Sequence, residues 1–385
     1  MMDLFEPRLP ERKLHKSFCE IRTNPSYAPV MSVIQSWAAG LLDRKGEAEK
    51  FVKEFQSTFN SSMWELYLNK ALTDLGCSVD YSKPSPDFFV TAPGNYEFNI
   101  EAVISDQPAS DKEPKPCSDQ DFKDRGALKL VGKIRDKVKI FRGSDGKKYP
   151  YSSLSHVPGR PFVIAIAPFD SNQSLLQNNE LINLVLFGIG APMLEGSELR
   201  QDKIASIATA SGAPVQMGIF TNDSFKEISA VIFSTVGTFG KAVVESKIER
   251  LVRATRFRSI EKERIPLGSP MWDLGTHRFQ VDKLNYLLTQ RWDFGRDVIG
   301  ADVHIQHSSF LRESHLDGLH IYFNPYAEVP FDPSFSWPGE VSLNYYDVAI
   351  GQPIQIHPDR ALVSRQVFEI SPFWIHQLLT SYGFV

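Results

Sequence analysis

The segment SPDFFVTAPGNYEFNIEAVIS, residues 85–105, constrains the fold of this chain more than any other. It reads as two short apolar strands, beginning at Asp87 and at Tyr96, closed by the hairpin signal Pro93-Gly94-Asn95. Strands so rich in aromatic and branched residues belong inside a sheet, yet they bring along the carboxylates of Asp87 and Glu101. An ionised carboxylate is costly to bury unless a cation or hydrogen bonds compensate it, and a divalent metal does so most directly. Along the second strand Glu101 and Val103 share one face, while Phe98, Ile100, Ala102 and Ile104 share the other. The second face is the core face, and Glu101 points away from it.

The flanking segments give the hairpin its setting. Residues 27–58 show helical spacing, with Val30, Val33, Ile34, Trp37 and Leu41 on one stripe and a further helix from Ala48 to Phe59. Met63 to Leu75 is a helix with Trp64, Leu68 and Leu72 on one face and Gly76 as its stop. Ser62-x-x-Glu65 fits a capping box at its start; alternatively, Glu65 faces the acidic strands as a further ligand or water-orienting group. Ser78 to Ser82 is a strand. After Ser105 a polar run rich in charge, proline and serine is expected to be a surface loop. Arg125 to Phe141 is an amphipathic basic helix carrying Lys129, Lys133 and Lys137, and Pro161 to Pro168 is a wholly apolar strand of the buried type.

This order of helix, three strands with Pro-Asp and Glu-x-x, helix and strand resembles the common core of the PD-(D/E)XK, or restriction-endonuclease-like, nuclease superfamily over residues 59–170. The segments FNSSMWELYL (59–68) and ISAVIFS (228–234) are similar to those of bacterial proteins. The resemblance implies a mixed α/β fold with a central mixed sheet flanked by helices. Residues 1–58 would form a helical N-terminal extension, and residues 171–385 a further mixed α/β region. It implies Asp87 and Glu101 as metal-binding acids and Glu65 as the helical glutamate that many members carry. The motif lysine is missing, because Val103 stands two residues after Glu101. Some members supply that lysine from the following helix, so Lys133 or Lys137, four apart on one helix face, would take its place, with Lys129 a third choice. The hard, oxygen-seeking Mg(II) or Mn(II) suits such carboxylates together with a backbone carbonyl near residue 102 and water.

The remaining sequence narrows the alternatives. A formal net charge of −4 over 385 residues gives no global signature of nucleic-acid binding, so any such surface must be local. Cys19, Cys77 and Cys117 are widely spaced and form no C-x-x-C pair, which suits a reducing cytoplasm. The start MMDLFEPRLPERK lacks the apolar core of a signal peptide, and the longest apolar stretch, Leu181 to Leu194, is too short to span a bilayer. His304, His307, His315 and His320 would suit zinc only if their strand spacing did not scatter them over two faces. Residues 234–241, STVGTFGK, miss the spacing of a phosphate loop and read as a glycine-rich turn.

Three further expectations concern the C-terminal half. Residues 247–264 form a basic helical stretch and Asp282 to Trp292 a helix, while strands lie at Met217–Thr221, Ile228–Phe233, Gly318–Phe323 and Ala361–Phe368. The aromatic run from His320 to Pro338 packs proline-rich loops or stacks on bases. The function expected from all this is metal-dependent phosphodiester hydrolysis, on DNA before RNA, with a homodimer or partner protein possible. Its rivals are a silent module of the same fold, binding nucleic acid or protein, and an unrelated α/β protein whose acids are structural.

Overall fold

Four helices precede the first strand: α1 (Lys16–Thr23), α2 (Ala28–Trp37), α3 (Ala48–Ser57) and α4 (Phe59–Asp74). The computed structural model describes residues 2–44, 46–105, 118–144, 146, 149–169, 178–195, 198–258, 278–282, 287–293, 300–332, 335 and 337–381. Helix α4 buries Met63, Trp64, Leu66, Tyr67, Leu68, Ala71 and Leu72, a distribution round the helix that demands cover on nearly every side. It lies between α2, α3 and the sheet. The Ser62–Glu65 capping box is overturned: the helix begins four residues earlier, after Thr58, so Ser62 and Glu65 are interior. Sequence gives no means of telling a cap from an interior S-x-x-E when Phe59 and Asn60 can themselves be helical. The far end does stop at Gly76, whose φ is 73°. There Cys77 N–H bonds to Leu72 O at 2.9 Å and Gly76 N–H to Thr73 O at 3.0 Å, the paired closure of a left-handed C-terminal turn.

Strands β1 (Ser78–Val79), β2 (Phe88–Ala92) and β3 (Tyr96–Ile104) run antiparallel, with the expected hairpin between the last two. Helix α5 (Asp119–Arg142) then crosses to β4 (Phe162–Ala167), which lies parallel to β3. Ser118 caps α5 reciprocally with Asp121, and Gly143 ends it. The polar run expected as a surface loop falls, at residues 106–117, outside the described residues.

Beyond β4 come α6 (Glu180–Phe187), the hairpin of β5 (Ile189–Glu195) and β6 (Glu198–Lys203), and the hairpin of β7 (Ser206–Ala208) and β8 (Pro214–Gln216). Next in the chain are β9 (Ala230–Phe233), α7 (Phe239–Glu245), β10 (Leu251–Arg258), β11 (Arg278–Asp282), β12 (Leu287–Asp293) and β13 (Gly300–His307). The last elements are β14 (His320–Phe323), β15 (Ser342–Asp347), β16 (Gln352–Ile356), β17 (Leu362–Phe368) and α8 (Pro372–Ser381). Eight strands form one mixed sheet in the order β1-β2-β3-β4-β9-β14-β15-β16, and five form an antiparallel sheet in the order β11-β12-β13-β10-β17. The large sheet therefore takes strands from both halves of the chain.

Both faces of that sheet are covered. Phe98, Ile100, Ile104 and Ala165 join the core of the N-terminal helices, while Val103, Ile164, Ile166 and Phe233 join that of α5 and α6. This is why Phe162–Ala167 is buried at every position and reads as an unbroken apolar run. Described aromatics of the run after His320 pack on the core: Phe331 and Phe335 lie on Phe98, and the partly buried Trp337 lies on Phe335.

Three C-terminal expectations are corrected. Residues 247–258 are not helical: Leu251–Arg258 is strand β10, with Val252, Ala254 and Arg256 buried in alternation with Arg253, Thr255 and Phe257. Its arginines disguise a period of two; residues 259–264 lie outside the described residues. The expected helix Asp282–Trp292 is the end of β11 followed by β12, its ends held by pairing rather than by local preference; residues 283–286 lie outside the described residues. Met217–Thr221 is a turn after β8. Leu181–Leu194 divides between α6 and β5, and among the described residues no helix is long and apolar enough to cross a membrane.

The glycine-rich turn expected at 234–241 ends at Thr238, where α7 begins, and it serves packing. A Cβ on Gly237 would come within 2.8 Å of Trp64 and Tyr67 of α4. Lys241 is buried, donating to the carbonyls of Ser314 and Asp317 and pairing with Glu313 at 2.5 Å, so its charge is already engaged.

Candidate active site

The site forms where β2 begins. Phe88 pairs with Ile100, and Pro86 before it has no N–H to continue the ladder. The Asp87 carboxylate takes over, its Oδ2 accepting from Ala102 N–H at 2.8 Å. His156 Nε2 lies 2.8 Å from Ser85 O, and Asn99 Nδ2 donates to His156 O, which fastens this turn to β3. Asp87 thus arrives beside β3 because a proline stops one strand and a side chain completes the pairing.

Glu101 projects from the middle of β3 and is 3% exposed. Its Oε1 accepts from Lys137 Nζ at 2.6 Å and from the Tyr151 hydroxyl at 3.0 Å. Its Oε2 is buried and has no hydrogen-bond partner. Lys137 comes from α5, which packs across β3 and β4. Of the three lysines considered, Lys137 is the one that reaches Glu101; Lys133 stands one turn earlier, half-buried. Val103, at the position of the motif lysine, is part of the apolar core beneath α5.

Glu65 belongs to the same electrostatic group. Burial, and then the charge of Asp87, push its carboxyl well above the ordinary range. Burial, and then the charge of Glu101, push Asp87 up to about 7, against the opposing pull of Lys137, the Ala102 N–H and Arg44. Burial disfavours the charged form of Lys137, but Glu101, Asp87 and Glu65 outweigh it and hold the ammonium above its ordinary value. The sequence thus located four groups that the structure brings together: Glu65, Asp87, Glu101 and Lys137. It missed Tyr151, in a short 3-10 turn with no motif around it, and Arg44, about forty residues upstream of Asp87. Only the fold could bring either near.

Among the described residues no three His, Cys, Asp or Glu side chains gather closely enough to enclose an ion. The histidines are dispersed: His315 bonds to Tyr67 O, His307 caps a turn, and His320 is buried against Phe233 and Tyr322. Glu65, expected as a further ligand, is not gathered closely enough with Asp87 and Glu101 to enclose an ion, so a metal at the acid site would rest on those two. That donor set fits Mg(II), which takes one or two carboxylates and keeps much of its water, and the unpartnered Oε2 of Glu101 is the oxygen best placed to serve.

The raised Asp87 carboxyl has a consequence for stability. From the ordinary carboxylate range near 3.8 up to about 7, the folded protein holds a proton that the unfolded chain has given up. Stability without metal therefore falls as pH rises through that interval. In EDTA, urea unfolding is expected to show a lower midpoint at about pH 8 than at about pH 5, with that difference reduced in Asp87→Asn. A pH dependence unchanged by the substitution contradicts this assignment. Comparison of the chain with protein-family models, curated proteins and solved structures gives no match.

Proposed function

We propose that this chain is a metal-dependent nuclease of the restriction-endonuclease-like class, hydrolysing phosphodiester bonds in DNA before RNA. The observation that carries the reading is the placement of the Asp87 carboxylate, just before β2, on the Ala102 N–H next to Glu101 of β3, with one Glu101 oxygen on Lys137 and the other buried without a partner. The order α4, antiparallel β1 to β3, α5 and parallel β4 supports it, being the order in which that class arranges its core.

Asp87 and Glu101 would hold Mg(II) or Mn(II), which when bound supplies a more acidic water and positive charge beside the phosphorus. Lys137 sets its ammonium at Glu101 Oε1, where it offsets charge developing on the attacked phosphate. Tyr151 fixes the Glu101 side chain through the same oxygen. Asp87 Oδ2 accepts from Ala102 N–H, so Oδ1 would be the oxygen it offers a metal. Glu65, held toward its protonated form, can orient water or return a proton to the leaving oxygen.

A silent module that binds nucleic acid or protein is the second reading. The Lys137–Glu101 ion pair favours it, since that pair already neutralises one carboxylate. End-labelled duplex DNA, single-stranded DNA and RNA, each incubated with Mg(II) or Mn(II), separate the two. Cleavage of DNA that EDTA stops is expected; binding without cleavage in either metal would favour the silent module.

A further inference from the structure

Arg44 enters the acid site from the N-terminal region, just after a 3-10 turn whose Leu41 and Leu42 are buried. Its placement is enforced. Asn69, one helical turn beyond Glu65 on α4, donates to Trp37 O at 2.7 Å and Ala39 O at 2.9 Å and accepts from the Tyr81 hydroxyl. That side chain thus fastens the chain leading to Arg44 and the ring on which Arg44 rests. The guanidinium lies 4.6 Å over the Tyr81 ring, and Nη2 donates to the backbone carbonyl of Asp87 at 3.1 Å.

What the guanidinium leaves undone points to its use. It carries five N–H donors in a rigid plane. One is bonded to the Asp87 carbonyl, and Nε is buried without a partner. The charges of Asp87 and Glu65 act on it, yet among the described residues no carboxylate pairs with it. A guanidinium in such company would be expected to form a bidentate carboxylate pair; here stacking and the backbone bond hold it apart. An exposed phosphodiester approaching two acids also needs a fixed cation to offset their repulsion.

We propose that Arg44 binds a phosphate oxygen of the nucleic-acid strand at the Asp87–Glu101 site, making the N-terminal region part of the substrate-binding surface. The proposal rests on the nuclease reading and names the group that would seat its substrate. Planar, forked donors are suited to phosphate, and a lysine would supply the charge without the fork.

The test is fluorescence anisotropy with a labelled DNA duplex, using Asp87→Asn protein to separate binding from cleavage. Arg44→Ala and Arg44→Lys are added to that background, and each phosphate of the duplex is replaced in turn by a neutral methylphosphonate. Arg44→Ala is expected to weaken binding by about 10- to 100-fold. One methylphosphonate position is expected to weaken binding by a similar factor, but to add nothing once Arg44 is gone. Losses that add at every position would overturn the assignment of Arg44 while leaving the nuclease reading in place. Failure of the Asp87→Asn protein, with Arg44 intact, to bind any oligonucleotide would overturn both. If Arg44→Ala does not fold, Arg44→Lys decides: reduced coupling at the same single phosphate supports the proposal, and full coupling retained, or none at any position, overturns it.

Discussion

Replacing Lys137 by methionine is expected to slow DNA cleavage by about 10²- to 10³-fold, the usual cost of removing one preorganised charge from a phosphoryl or acyl transition state. The effect belongs in the rate and not in metal affinity. Lys137 competes with a metal for the electrons of Glu101 Oε1, so its loss leaves Mn(II) binding equal or stronger. Methionine replaces the apolar part of the lysine side chain with a stem of similar volume and no charge, which limits the packing change. Single-turnover cleavage, with Mn(II) affinity measured by calorimetry on the same protein, reads both quantities. Unchanged cleavage would remove Lys137 from the chemistry and reopen the case for Lys133 or Lys129. Weakened metal binding with an unchanged rate would make Lys137 a structural partner of Glu101 only.

Glu313→Gln is expected to produce the largest loss of stability, about 3–5 kcal/mol, because breaking a buried ion network strands its remaining charges. The side chain of Glu313 is fully buried and pairs with both Lys241 of α7 and Arg365 of β17, whose side chains are each 2% exposed or less. Burial opposes its charge, but Arg365 and Lys241 prevail and hold the carboxyl below its ordinary range. Burial likewise pulls Lys241 downward, the charge of Glu313 opposing it. Glutamine would leave two cations facing each other with no anion between them. The network joins the helix after β9 to the five-stranded sheet, and Arg365 Nη2 also holds the carbonyl of Val236 in the glycine-rich turn. Urea unfolding checks the magnitude, and a loss below about 1 kcal/mol would show that water or neighbouring groups replace the anion. Because the folded carboxyl is depressed, its contribution is present above the ordinary carboxylate range and fades as pH falls through its folded value.

The hairpin and its acids were legible because a period of two, a proline-glycine turn and buried carboxylates are local signals. The apolar strand Phe162–Ala167 and the stop at Gly76 were legible for the same reason. The choice between Lys133 and Lys137 was not. Both lie on one side of α5, and which of them meets Glu101 depends on how Leu130, Ile134 and Val138 seat the helix on the sheet. Strand β10 was misread because four arginines in residues 250–258 suggest a solvated helix; one of them, Arg256, is buried on Asp317 at 2.7 Å. A buried ion pair leaves no trace in the spacing of apolar residues. Arg44 and Tyr151 reach the site through contacts far apart in the chain, which no local pattern encodes.

The acid pair also explains a tension in the fold. Without a metal, burial and mutual repulsion raise Asp87 and Glu65, and Lys137 with Tyr151 satisfies a single oxygen of Glu101. Such an arrangement is poorly suited to stability alone, as expected if the site takes the cation proposed for it.

The most direct measurement is conversion of supercoiled plasmid to nicked and linear forms by the wild type, Asp87→Ala and Glu101→Ala, each with Mg(II), with Mn(II) and with EDTA. Metal-dependent cutting by the wild type that disappears in both variants is the expected result. Equal cutting by all three proteins, or none by the wild type in either metal, would contradict the assignment of Asp87 and Glu101 as the acids of a nuclease acting on DNA.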